Sequence, residues 1–149
     1  MKLLFGIKKL ADMPGGSERV LCIIASELVR RGHDVSILTF DKPGRSPFYE
    51  IDPRIKRIDL AVGNSALPAK FRESMLRILK LRAVIVREDP DIVIGFNPSI
   101  FLLMGPALVF SGIPVIGSEH IVQEHFNERA LQLLFYRLVA KTLSKITVL

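Results

Sequence analysis

Short apolar runs alternate along the chain with stretches of helical period, a pattern of repeated strand–helix–strand units that predicts a mainly parallel sheet. Lys2 to Ile7 reads as the first strand and Lys8 to Gly16, containing Pro14-Gly15-Gly16, as the loop after it. Ser17 is expected to cap a helix in which Val20, Leu21, Ile24 and Leu28 recur at helical spacing, with Arg30 and Arg31 in the last turn and Gly32 at the stop. Val35 to Phe40 predicts the second strand, and the polar stretch from Asp41 to Asp52 an exposed loop. Ile55 to Leu60 alternates apolar with charged residues, which places a half-exposed strand at the periphery of the sheet. Pro68 to Glu88 predicts a helix with Phe71, Met75, Ile78, Leu79 and Leu81 on its apolar face. Asp89-Pro90-Asp91 ends it, because a residue before proline is pushed out of the helical region. Strands follow at Ile92 to Gly95, Val115 to Gly117 and Ile146 to Leu149, and helices at Pro98 to Ser111 and Glu124 to Leu143.

The length of 149 residues suits one domain, residues 1–149, with a core that needs no covalent staple. Hydrophobic residues at 49% and charged ones at 24% exclude the disordered class. The fold class expected is therefore α/β, a doubly wound Rossmann-like parallel sheet with helices on both faces. Cys22 is the only cysteine, so neither an internal disulfide nor a multi-thiol metal site is available, and a reducing, cytoplasmic setting fits. The apolar run at the start is too short for a secretory signal. The longest apolar stretch, Ile100 to Phe110, falls short of the roughly 20 residues of a membrane span.

A formal charge of +6 directs attention to anionic partners. Nucleic acid is not expected, because Trp is absent, Tyr occurs twice and no basic stretch is interleaved with stacking aromatics. Acidic lipid headgroups and phosphorylated substrates stay open. The helix around Lys70 to Arg87 is dense in cations, with Phe71 and Met75 at its apolar boundary. It reads either as a solvated outer face or as a surface lying on an anionic membrane.

In an open parallel sheet, ligands bind beyond the carboxyl ends of the strands, where the strand order reverses. With the order 3-2-1-4-5-6, three loops converge there: Pro14-Gly15-Gly16-Ser17, Phe96-Asn97-Pro98-Ser99 and Ser118-Glu119-His120. Gly15 and Gly16 before a helix let a backbone approach a ligand, and the helix start favours an anion; the same glycines also simply make the turn. His120, beside Glu119, is a candidate to bond a sugar hydroxyl or assist proton transfer. His33, in the turn after the first helix at the opposite end of the sheet, is expected to be structural, and the role of His125 stays open. Asp41 ends the second strand, as an acidic residue does in nicotinamide enzymes, yet the Gly-x-Gly-x-x-Gly fingerprint is missing: Gly15-Gly16 runs into Ser17-Glu18-Arg19.

Five phrases in order cover the whole chain: Gly15-Gly16-Ser17-Glu18-Arg19-Val20, Leu28 to Val35, Asp89-Pro90-Asp91-Ile92-Val93-Ile94, Gly112 to His120, and Ile146-Thr147-Val148-Leu149. Together they resemble the N-terminal domain of family-4 glycosyltransferases. The resemblance implies a GT-B architecture of two Rossmann-like domains facing a cleft, retention of anomeric configuration and no obligatory metal or other cofactor. It implies an acceptor-side role for this domain, Gly15 and Gly16 near the donor phosphates, and His120 on the transferred sugar. Ser17, Asn97, Ser118 and Glu119 complete the expected substrate- and phosphate-binding set around them. Members often work at the cytoplasmic face of the plasma membrane on lipid- or saccharide-linked acceptors, in surface-polysaccharide or glycolipid synthesis. The basic pair and the Glu-x-x-x-x-x-x-x-Glu motif of the family's C-terminal, donor-binding domain find no counterpart, so a further domain or partner chain is expected and the isolated chain is expected to be inactive. Two other readings compete: a non-catalytic subunit that docks and anchors a separate transferase chain, and a nicotinamide-binding domain. A nucleotide-sugar epimerase is the nearest rival chemistry on the same architecture.

Overall fold

The computed structural model describes residues 1–12, 14–62, 71–119 and 145–148. The described strands are β1 (Lys2–Gly6), β2 (Asp34–Thr39), β3 (Lys56–Asp59), β4 (Ile92–Phe96), β5 (Val115–Glu119) and β6 (Lys145–Val148). All pair in parallel in one six-stranded sheet of order β3-β2-β1-β4-β5-β6, the expected doubly wound arrangement. The helices are α1 (Gly16–Arg30), α2 (Phe71–Glu88) and α3 (Pro98–Leu108). The helix expected at Glu124 to Leu143 and the residues from Pro68 to Lys70 lie outside the described residues.

Alternation along the buried strands divides the core. Leu3, Phe5, Val35, Ile37 and Phe96 face α1, where Leu21, Cys22, Ala25 and Val29 meet them. Leu4, Leu38, Val93 and Val115 face the other way, onto Leu81 and Ile85 of α2 and Ile100, Met104 and Leu108 of α3. Cys22 belongs to the first of these cores, and burial, with help from the Glu18 carboxylate, pushes its thiol up to about 11. β3 lies at an edge of the described sheet, as its alternating charges predicted.

Two expectations about helices are corrected. α1 is capped by Gly15 rather than Ser17, with no side-chain cap bond, and the Ser17 hydroxyl donates instead to Glu18 Oε2 at 3.0 Å. On α2, Leu81 and Ile85 point into the core while Met75 and Leu79, placed on the apolar face by periodicity, are solvent-exposed at 48% and 62%. Arg77, one of the cations of the Lys70 to Arg87 stretch, is on neither a solvated face nor a membrane-facing one but buried: its guanidinium stacks 4.7 Å from the Phe40 ring centroid and pairs with Glu73 at 2.5 Å.

Candidate functional site

Register brings the strand ends level. Gly6 pairs with Gly95 and Gly95 with Gly117, so β1, β4 and β5 deliver their following loops to one place. From there the chain leaves β1 toward α1 on one face and β4 toward α3 on the other, which opens the crevice predicted at the switch point. The three loops do meet. Asn97 N–H donates to Ser118 O at 2.9 Å, and Asn97 Nδ2 donates to Ser17 Oγ at 3.1 Å across 80 residues of sequence. Gly15 and Gly16 open α1 beside this contact, and Ser118 and Glu119 are buried at the end of β5. His120 and His125 lie outside the described residues.

Asn97 carries the least ordinary geometry of the crevice. Its φ of 71° and ψ of 148° fall close to a backbone region that only glycine occupies at ease, a cost of about 1–3 kcal/mol. Its Oδ1 is buried with no hydrogen-bond partner among the described residues. A residue held in strain with an unused acceptor, at the junction of three loops, is placed to receive a donor from a ligand.

Sequence reasoning passed over Glu18. It is 7% exposed, and a Cβ added to Gly15 would lie 2.0 Å from Glu18 Oε2, so the carboxylate folds back over the helix start and the first glycine is what leaves it room. An acid three residues beyond the cap is the signal that could have revealed it. The consequence is chemical: the start of α1 already holds an anion, and Glu18 carboxylate, Ser17 Oγ and Asn97 Oδ1 form a cluster rich in acceptors. Gly16 differs from Gly15, for a Cβ there would meet no atom within 4 Å.

Asp41 is not a ligand-facing acid. Its Oδ2 accepts from the backbone N–H of Leu10 at 2.7 Å and of Ala11 at 3.0 Å, and the residue is 3% exposed, so it ties the β1–α1 loop to the end of β2. His33 sits in the turn after α1, its N–H donating to Leu28 O at 3.0 Å, at the end of the sheet away from the crevice.

On the α2–α3 side of the switch point lies a cavity of about 240 Å³ lined by Lys8, Ser74, Arg77, Pro98, Ser99, Leu102 and Leu103. Burial and the Arg77 guanidinium hold the Lys8 ammonium below the ordinary lysine value, with Glu73 pulling the other way. Among the described residues no group of three His, Cys, Asp or Glu side chains could hold a metal ion, and no helix is long and apolar enough to cross a membrane.

The model of Glycosyltransferase Family 4 matches residues 14–148. A Haemophilus influenzae protein described as an uncharacterized glycosyltransferase is 30% identical over 114 residues, covering 76% of this chain and 29% of the relative. Among solved structures, sucrose-phosphate synthase of Thermosynechococcus elongatus superposes with a TM-score of 0.67 at 11% identity, over 97% of this chain and 41% of that one. UDP-GlcNAc 2-epimerase of Methanocaldococcus jannaschii gives 0.56 at 13% identity, over 99% and 39%. This chain thus spans well under half the length of each of these proteins.

Proposed function

Because the chain belongs to glycosyltransferase family 4 and folds as half of a GT-B architecture, we propose that it forms the acceptor-side wall of a cleft in which a sugar passes from a nucleotide-diphosphate donor to an acceptor hydroxyl, with retention. The observation that carries the reading is the cluster of Glu18, Ser17 and Asn97, whose acceptor atoms suit the hydroxyl donors of a sugar. The family match favours transfer over epimerisation, which the fold alone leaves equal. The tethering role of Asp41 removes the one feature that spoke for a nicotinamide ribose. Gly15 and Gly16 border the donor, Ser118 and Glu119 close the floor, and the role of contacting the transferred sugar goes to His120 on the family resemblance. The donor's nucleotide is held by a second domain or partner chain, without which this chain turns over no substrate; no metal or organic cofactor is required.

Titration with UDP, GDP and NAD, followed through the backbone amides of Gly15, Gly16, Ser17 and Glu119, tests the reading. Shifts confined to these residues with a nucleoside diphosphate are expected, and saturable binding of NAD in their place would overturn it. Gly16→Ala separates ligand approach from folding. The open space around its Cβ leaves stability unchanged or raised by up to about 1 kcal/mol, whereas nucleotide-sugar use by the complete enzyme should fall at least tenfold. Asn97→Gly should raise the urea midpoint, since it relieves about 1–3 kcal/mol of backbone strain, while weakening sugar binding.

The outer face of α2 supports a location at the cytoplasmic surface of the membrane and a role in surface-polysaccharide or glycolipid synthesis. Met75, Leu76, Leu79 and Val86 are exposed along one stripe, with Arg72, Lys80 and Arg87 exposed beside them and no exposed acid on that face. Co-sedimentation should show binding to vesicles containing phosphatidylglycerol and little to pure phosphatidylcholine. Leu76→Ser with Leu79→Ser should lower it at least tenfold, at about 1.5–3 kcal/mol per buried leucine. Binding to neither vesicle type would identify α2 as a solvated face or a surface that docks a protein.

A further inference from the structure

Resting on the transferase reading, we propose that Glu18 is a specificity-determining residue: its carboxylate occupies the start of α1 as an internal stand-in for the donor's phosphate and reserves that place for a ligand bearing a diphosphate.

Glu18 is 7% exposed, and burial penalises its charge unless something compensates. Among the described residues no cation stands within ion-pair distance of it. The Ser17 hydroxyl donates to Oε2 at 3.0 Å, and the rest of the compensation comes from α1 itself. The amides of Gly16, Ser17 and Glu18 open the helix without an acceptor inside it, and Gly15 at the cap offers no side-chain bond. Glu18 is thus an anion held at a helix start by a hydroxyl and a partial positive charge, the donors that a phosphate oxygen uses.

The seat is built for this carboxylate. Gly15 has a φ of −88° and a ψ of 154°, an extended backbone that any residue adopts, so glycine is needed there for room alone. Glu18 Oε2 fills that room, 2.0 Å from where a Cβ would lie. The bond from Asn97 Nδ2 to Ser17 Oγ ties the seat to the loop between β4 and α3, and Asn97 Oδ1 beside it has no partner among the described residues. Such a network is completed by a ligand that brings both hydroxyl donors and negative charge. A tethered carboxylate competes at an effective concentration of about millimolar, so a single free anion gains little by replacing it. A diphosphate brings a second charged group, for which Gly16 leaves space, since a Cβ there would meet no atom within 4 Å. The displaced carboxylate stays on α1 and keeps its oxygens at the crevice, where sugar hydroxyls need acceptors.

The test titrates the chain with UDP, inorganic pyrophosphate and inorganic phosphate, following the amides of Gly15, Gly16 and Ser17 and the carboxyl carbon of Glu18. UDP and pyrophosphate are expected to shift both sets of signals, and phosphate at equal concentration neither. Glu18→Gln keeps the shape and removes the charge, so it should tighten all three ligands about tenfold or more, phosphate most, and narrow the preference for a diphosphate. Gly15→Ala fills the seat and should move the Glu18 carboxyl resonance to that of an exposed glutamate before any ligand is added. Unchanged affinities in Glu18→Gln, phosphate binding as tightly as pyrophosphate in the parent, or a Glu18 resonance that stays put in Gly15→Ala would each overturn the proposal. A UDP response at Gly15 and Gly16 that Glu18→Gln leaves unaltered would do so with the transferase reading still standing. Tightening of both inorganic anions without any response to UDP would keep the role of Glu18 and remove the reading it rests on, and silence of these amides toward every probe in both proteins would remove the two together.

Discussion

Gly95→Ala should destabilise the domain by about 2–3 kcal/mol, read as a fall in the urea midpoint at constant slope. The added Cβ would lie 2.6 Å from Phe101 Cβ and 2.9 Å from Phe101 Cα, and Phe101 is fully buried on α3. Backbone is in the way, so relief requires α3 as a whole to move off the sheet, which opens the packing of Ile100 and Met104 as well. Gly6 provides the control. A Cβ there would meet the Met104 methyl at 1.9 Å, but that methyl ends a flexible side chain that can swing aside, so Gly6→Ala should cost distinctly less. A Gly95→Ala protein within 0.5 kcal/mol of the parent on the same measurement would show that α3 does not seat against β4 as closely as described.

The second large effect is expected at Asp41. Replacing it with alanine strands the buried N–H groups of Leu10 and Ala11, at about 1–3 kcal/mol each, so a total loss near 3 kcal/mol follows. Asp41→Asn keeps an uncharged acceptor and should lose about half as much. Amide hydrogen exchange locates the change: protection at Leu10 and Ala11 should fall in both variants, while protection in β4 follows only the global stability. Should Asp41→Ala instead leave stability intact and abolish NAD binding, the acid would be a cofactor ligand and the tether an accident of geometry.

Asp41 also shows where the sequence is legible and where it stops being so. Strand–helix alternation, the peripheral position of β3 and the convergence of the loops at Ser17, Asn97 and Ser118 all follow from patterns within a few residues and from one topological rule. The roles of individual polar side chains do not. Asp41 is spent on amides 30 and 31 residues earlier, and Arg77 is stacked on a ring 37 positions away. Nothing local distinguishes such an acid from a ligand-binding one, or such an arginine from a solvated one. α2 misled for a related reason. Its apolar residues occur on more than one face, and only the side that Leu81 and Ile85 turn to the sheet is decided by packing, leaving Met75, Leu76 and Leu79 outside. Glu18 was hidden by its neighbours: next to two glycines it reads as ordinary first-turn acid, and its burial depends on the missing side chain of Gly15.

One contact between helices sets a distance. Arg82, on the exposed side of α2, donates from Nη1 to Ala107 O at 2.8 Å and to Val109 O at 3.0 Å, the carbonyls at the end of α3. α2, whose outer face is proposed to meet lipid, and α3, whose start frames the Lys8 cavity, are thereby clamped together through Arg82 and the end of α3. If α2 rests in the headgroup layer, the height of that cavity above the acyl chains is a fixed dimension of the protein, and it works as a gauge: an acceptor is reached only when its spacer lifts the reactive hydroxyl to that level.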